Sequence, residues 1–206
     1  MAVCPDCGHE NAEGAKFCSD CGVKLDAPTA TREVRKTVTV VFCDVTGSTA
    51  LGERLDPESM RKVLSRYFAE MQGVLERHGG TVEKFIGDAV MAVFGIPVLH
   101  EDDALRAVRA ADEMRAALAP LNEELERDHE TTLQARIGVQ TGEVVAGDPS
   151  GGHAMVTGDP VNTAARLEQH AVPGEILIGP PTYELVRDAV TAEPVPPLEV
   201  KGKADL

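Results

Sequence analysis

Tryptophan is absent from the 206 residues and aromatics make up 3% of them. A core must therefore rest on Val, Leu, Ile and Ala, and few rings are available for bases to stack on. Basic residues are also scarce. Twenty Lys and Arg face 34 Asp and Glu, a formal net charge of -14, which is the wrong sign for neutralising nucleic-acid phosphates. No apolar run approaches the ~20 residues of a membrane-spanning helix. Residues 1–25 show no basic start followed by an apolar block, the pattern of a secretory signal. No nucleic acid and no membrane are expected as partners, and the expected location is the cytoplasm. A hydrophobic content of 43% is enough for a real core, and the length allows one full domain plus a small accessory module.

Four of the five cysteines fall in the first 21 residues, as Cys4-Pro5-Asp6-Cys7-Gly8 and Cys18-Ser19-Asp20-Cys21-Gly22. Two such knuckles can place four thiolates around one tetrahedral Zn²⁺, with the glycines supplying tight turns. A pair of disulfides or a redox Cys-x-x-Cys is the competing reading, disfavoured by doubled knuckles in a reducing compartment. The segment resembles the short zinc-ribbon modules of bacterial protein N-termini. So short a segment cannot fold on apolar burial alone, so the metal is expected to be structural. Its acidic side chains argue against DNA, which leaves docking of a protein partner or a spacer role.

Residues 27–35 read as a linker, separating a ribbon at 1–26 from a domain at 36–206. Residues 37–43 are β-branched and apolar, as a buried strand should be. Residues 57–78 space Met60, Val63, Leu64, Tyr67, Phe68, Met71, Val74 and Leu75 as one face of a helix, with Asp56 as its cap and Pro57 at its first position. Thr81–Ile86 and Ala89–Phe94 read as a hairpin around Gly87-Asp88. Residues 101–127 read as one long helix. Residues 134–140 and 143–147 read as a strand pair turning at Thr141-Gly142. A helix from Pro160, a strand at 175–178, a helix at 181–188 and a strand ending near Val200 complete an α+β order.

Asp44 follows the first strand and Asp88 sits at the hairpin tip. Each alone would do no more than shape a turn; together, at neighbouring strand ends, two carboxylates can hold Mg²⁺ ions completed by substrate phosphates. The small residues Thr46, Gly47, Ser48 and Thr49 allow backbone N–H groups to close around phosphate oxygens.

Four blocks carry a resemblance: Val41-Phe42-Cys43-Asp44-Val45-Thr46-Gly47-Ser48-Thr49, Glu83-Lys84-Phe85-Ile86-Gly87-Asp88, Arg136-Ile137-Gly138-Val139-Gln140-Thr141-Gly142, and Gly158-Asp159-Pro160-Val161-Asn162 with Arg166-Leu167-Glu168. In this order they resemble the class III nucleotidyl cyclases over about residues 36–206. The resemblance implies a ferredoxin-like βαββαβ core with extra elements, acting as a head-to-tail homodimer with shared active sites, and conversion of ATP to 3′,5′-cyclic AMP and pyrophosphate. It implies two Mg²⁺ or Mn²⁺ per site at Asp44, Val45 and Asp88. Lys84 matches the lysine that reads adenine, which favours ATP, with GTP as the other candidate. Asn162 matches the asparagine that orients the ribose, and Arg166 the arginine that stabilises the transition state. Arg136 and Lys201 match positions that bind the polyphosphate.

Three departures stand out, of which Ser48, standing where the family often carries Phe, is expected to be benign. Met155 occupies a position where the family carries Asp or Thr, and a thioether accepts hydrogen bonds weakly. The chain also stops after Lys201-Gly202-Lys203, where relatives continue through a further strand, so the last strand is expected to be missing. The alternative to an enzyme is a silent cyclase-homology module that binds nucleotide or dimerises to control an effector.

Overall fold

In the computed structural model, residues 2–4, 6–12, 14–25, 34–147 and 156–197 are described. They form two units, Met1–Val34 and Arg35–Leu206. In the first, β1 (Ala2–Val3) pairs antiparallel with β2 (Glu10–Asn11). Each Cys-x-x-Cys-Gly knuckle closes identically: Gly8 N donates to Cys4 O and Gly22 N to Cys18 O, both at 3.0 Å. Both glycines are left-handed, at φ 75° and 73°, a conformation that costs an L side chain energy. The only apolar cluster of this unit among the described residues is Cys4, Cys18 and Leu25 with Ala15 and Val23 against them.

The second unit begins with β3 (Val34–Thr46), whose start lies inside the segment read as linker and whose end carries Asp44 within the strand rather than after it. The run is long because both of its faces are covered. Val41, Cys43 and Val45 point into one core and Val38, Val40 and Phe42 into another. A short helix α1 (Ser48–Arg54) follows, unread in the sequence. Helix α2 (Pro57–Arg77) starts where expected, with Asp56 Oδ1 accepting from Ser59 N at 2.9 Å. Strands β4 (Thr81–Ile86) and β5 (Ala89–Phe94) form the expected hairpin, with a bulge at Glu83.

Two expectations fail. The helix read over 101–127 is two: α3 (Asp103–Ala117) and α4 (Ala119–His129), broken at Leu118. Pro120 has no N–H to continue the ladder and restarts the helix from its first turn. The strand pair read over 134–147 is one strand, β6 (Gln134–Ala146), with no turn at Thr141-Gly142. Gly142 is there for close approach: a Cβ at that position would lie 2.6 Å from Pro160 Cγ. The remaining elements are β7 (Val156–Thr157), α5 (Asp159–His170), β8 (Ile176–Ile178) and α6 (Pro180–Val186). The expected strand near Val200 lies outside the described residues.

The sheet order is β4-β5-β3-β6-β7, with β8 parallel to β6. Strands β4, β5, β3 and β6, in that order, give the ferredoxin-like arrangement. Helices α2, α3 and α4 contribute Tyr67, Met71, Met114 and Leu125 to one face, while Ala164 of α5 packs on the other. Helix α5 comes so near β6 that a Cβ on Gly138 would sit 2.1 Å from Ala164 O and 2.4 Å from Glu168 N. Both atoms are backbone, so a side chain there displaces the helix itself.

Gly138→Ala is therefore expected to cost about 3 kcal/mol, a fall of roughly 6–12 °C in melting temperature. Gly52→Ala, in α1 with nothing within 4 Å of the added Cβ, should be neutral or stabilising by about 0.5–1 kcal/mol. Thermal unfolding of the two variants checks the contrast.

Candidate active site and zinc site

The four ribbon sulfurs lie within 4.8 Å of one another, with Cys4 to Cys21 and Cys7 to Cys18 both at 3.6 Å. A disulfide would need about 2.05 Å. Four sulfurs each about 2.3 Å from a central ion stand roughly 3.8 Å apart, so this set fits a tetrahedral zinc. Asn11 secures the cluster: its amide approaches Cys18 Sγ at 3.6 Å, and its Oδ1 accepts from Ser19 N at 2.9 Å. The Cys21 N–H, ahead of the other contacts, pulls the Cys18 thiol down to about 6.

In the larger unit, register places Cys43 of β3 opposite Val90 of β5, so Asp44 comes beside the hairpin turn that carries Asp88. Ser48, the first residue of α1, donates its hydroxyl to Asp88 Oδ2 at 2.5 Å. Burial raises the Asp44 pKa, the neighbouring Asp88 charge raises it further, and Arg136 opposes both. Two adjacent carboxylates, one partly desolvated, form a hard-oxygen donor set that fits a divalent cation. Val45 turns its side chain into the core, 3% exposed, leaving only its backbone carbonyl to offer an oxygen.

Arg136 already supplies a cation there. Its Nη2 lies 2.5 Å from Asp44 Oδ2 and 3.0 Å from Glu168 Oε1. The second contact is an ion pair without hydrogen-bond alignment, so Glu168 Oε1 and Arg136 Nε have no hydrogen-bond partner among the described residues. Burial, then the Asp44 and Asp88 charges, push the Glu168 carboxyl up to about 7 against the pull of Arg136.

The other anticipated residues lie outside this cluster. Thr46 Oγ1 donates to Gln134 O at 3.3 Å, Gly47 caps α1, and Thr49 is exposed. Lys84 is exposed with its Nζ 3.2 Å from Glu83 Oε1. Asn162 is exposed and Arg166 half-buried, one turn apart on α5. Met155 and Lys201 lie outside the described residues. A groove of about 1060 Å³ between α3, β8 and residues 190–195 contains none of these side chains.

Two acidic residues stand in the motif blocks without a role assigned from sequence. The Glu83 side chain is 6% exposed, brought beside Lys84 by the bulge, and its Oε2 is unpartnered among the described residues. A single-residue bulge leaves no mark in an alternating pattern. Glu168 did leave one: it falls among Ala164, Leu167 and Ala171 on the buried face of α5, a charged residue where the helical period calls for an apolar one.

Residues 31–206 match the adenylate and guanylate cyclase catalytic domain, and residues 3–25 a zinc-ribbon domain. The solved adenylyl cyclase CyaB from P. aeruginosa is 33% identical, with 84% of this chain and 91% of that one covered at a TM-score of 0.78. The guanylyl cyclase Cya2 is 34% identical, with 84% and 89% covered and a TM-score of 0.76. An uncharacterised protein of Mycobacterium tuberculosis is 40% identical over 134 residues, 62% of this chain, and the match spans only 23% of that protein's length. Among the described residues no helix is long and apolar enough to cross a membrane. By its catalytic fold and its four-cysteine ribbon, the chain belongs to the adenylate and guanylate cyclase catalytic domain family, preceded by a zinc-ribbon domain.

Proposed function

We propose that this chain is an adenylate cyclase that converts ATP to 3′,5′-cyclic AMP and pyrophosphate at two sites shared across a head-to-tail homodimer. The observation that carries the reading is a divided site. Asp44, Asp88 and Arg136 gather on one part of the chain, while Asn162 and Arg166 stand one turn apart on α5 with no side-chain partner among the described residues. A two-fold dimer would bring the α5 pair of one chain to the carboxylates of the other.

In this reading Asp44 and Asp88, with the Val45 carbonyl, hold two Mg²⁺ or Mn²⁺. When bound, such ions supply activation of the ribose 3′-hydroxyl and neutralise phosphate charge. Ser48 holds Asp88 in place, and the 46–49 turn approaches the phosphates. Asn162 orients the ribose so that the 3′-oxygen lies in line with the α-phosphorus. Arg166 donates to the α-phosphoryl oxygens as charge grows on them. Arg136 and Lys201 take the charge of departing pyrophosphate. Lys84 donates to the adenine ring, which favours ATP, and Met155 supplies no strong acceptor to sharpen that choice. Residues 1–26 act as a separate zinc-bound docking module joined by a short linker to the catalytic domain, whose first strand begins at Val34. Reduced thiols suit the cytoplasm.

Asp44→Ala should be inactive, and Arg166→Ala should lose about 10²–10³ in kcat. Mixed under free exchange, the two should recover roughly a quarter of wild-type activity, because about half the dimers carry one intact site. No recovery at any ratio would place each site within one chain.

Protein purified without chelators should contain about one zinc per chain by elemental analysis. Cys4→Ser with Cys21→Ser should abolish it while leaving the melting transition of the catalytic unit in place. Loss of that transition would contradict the two-module reading.

A further inference from the structure

Helix α5 presents Ala164, Leu167, Glu168 and Ala171 to the protein interior. Burying a carboxylate in such a row is costly unless it is paired. Glu168 finds its charge partner in Arg136, whose Nη2 it shares with Asp44. The sharing is built into the backbone. Arg136 and Gly138 lie on the same face of β6, two residues apart, and the missing side chain of Gly138 brings the Glu168 backbone onto the strand beside that arginine.

One guanidinium cannot serve two ends of the site unless something holds it. Asp44 is its nearer partner, yet Asp44 is also the carboxylate assigned above to a divalent cation. An arginine whose side chain is 26% exposed would then lose its main counter-charge. Glu168 sits on the same nitrogen, is held by a helix rather than a loop, and has no other ion-pair partner among the described residues. We infer that Glu168 is the positioning residue for Arg136: it keeps the guanidinium at the carboxylate end of the site once Asp44 has turned away. The N–H groups of the guanidinium that remain accessible are then left to meet pyrophosphate oxygens in the forked geometry at which arginine excels. Glu168 touches no nucleotide in this account and acts only through Arg136. The inference rests on the assignment of Arg136 to the polyphosphate.

Calorimetric titration of magnesium pyrophosphate into the full chain tests it without requiring turnover. Glu168→Gln should raise the pyrophosphate Kd about tenfold with the melting temperature within a few degrees of wild type. Arg136→Gln should raise it at least as much. The double variant should be no weaker than Arg136→Gln alone, because one residue works through the other. Glu168→Asp keeps the charge but falls one methylene short, and should lie between wild type and Glu168→Gln. Wild-type affinity in folded Glu168→Gln, losses that multiply in the double variant, or no pyrophosphate binding by the wild-type chain would each overturn the inference. If Glu168→Gln fails to fold, Glu168→Asp decides, and wild-type affinity there overturns it equally. A chain that binds pyrophosphate with this coupling but cyclises no nucleotide would refute the enzyme reading alone. A cyclising chain whose pyrophosphate affinity ignores Glu168 would refute this inference alone.

Discussion

The approach of helix α5 to strand β6 at Gly138 is the constraint on which the site depends. It brings two backbones closer than any Cβ would allow, and three consequences follow. Glu168 lands beside Arg136, Arg136 is held within 2.5 Å of Asp44, and Asn162 and Arg166 are carried at fixed positions on the same helix. One close contact therefore sets both the anionic end of the site and the pair of side chains offered outward. A looser helix would blur both, and groups placed even an ångström out lose much of their catalytic value.

Charge explains much of this arrangement. With a net charge of -14, the protein repels a nucleotide polyphosphate at long range, so attraction has to be made locally. Asp44 and Glu168 share one guanidinium, with Asp88 beside Asp44. Burial first, then the neighbouring carboxylate charges, raise the proton affinity of Asp44 and Glu168. An anionic cluster of this kind favours a divalent cation, and Arg136 balances part of its charge. The ribbon solves a different problem. Its apolar cluster is too small to fold it, and its four sulfurs, already within 4.8 Å, make metal affinity and folding the same free energy.

The sequence carried the metal knuckles, the hairpin, the capped helix at Asp56 and the motif blocks, because each is written locally in turn residues, caps and spacing. It misled where one residue type serves two purposes. Gly142 reads as a turn but admits Pro160, and Leu118 continues an apolar face across a break that Pro120 imposes. The strand through Asp44 ran longer than its apolar centre because ladder hydrogen bonds continue where side chains turn polar. Glu168 and Glu83 were hidden for a tertiary reason: their partners are 32 residues away in one case and created by a bulge in the other. No local pattern states which arginine a buried carboxylate will meet.

The central claim is that this chain makes a cyclic nucleotide. The most direct measurement incubates the purified full chain with equimolar ATP and GTP in Mn²⁺ or Mg²⁺ and identifies the products by mass spectrometry. The account predicts 3′,5′-cyclic AMP and pyrophosphate in equal amounts, with cyclic GMP as the lesser product. A folded, dimeric chain that forms neither cyclic nucleotide with either metal would contradict it.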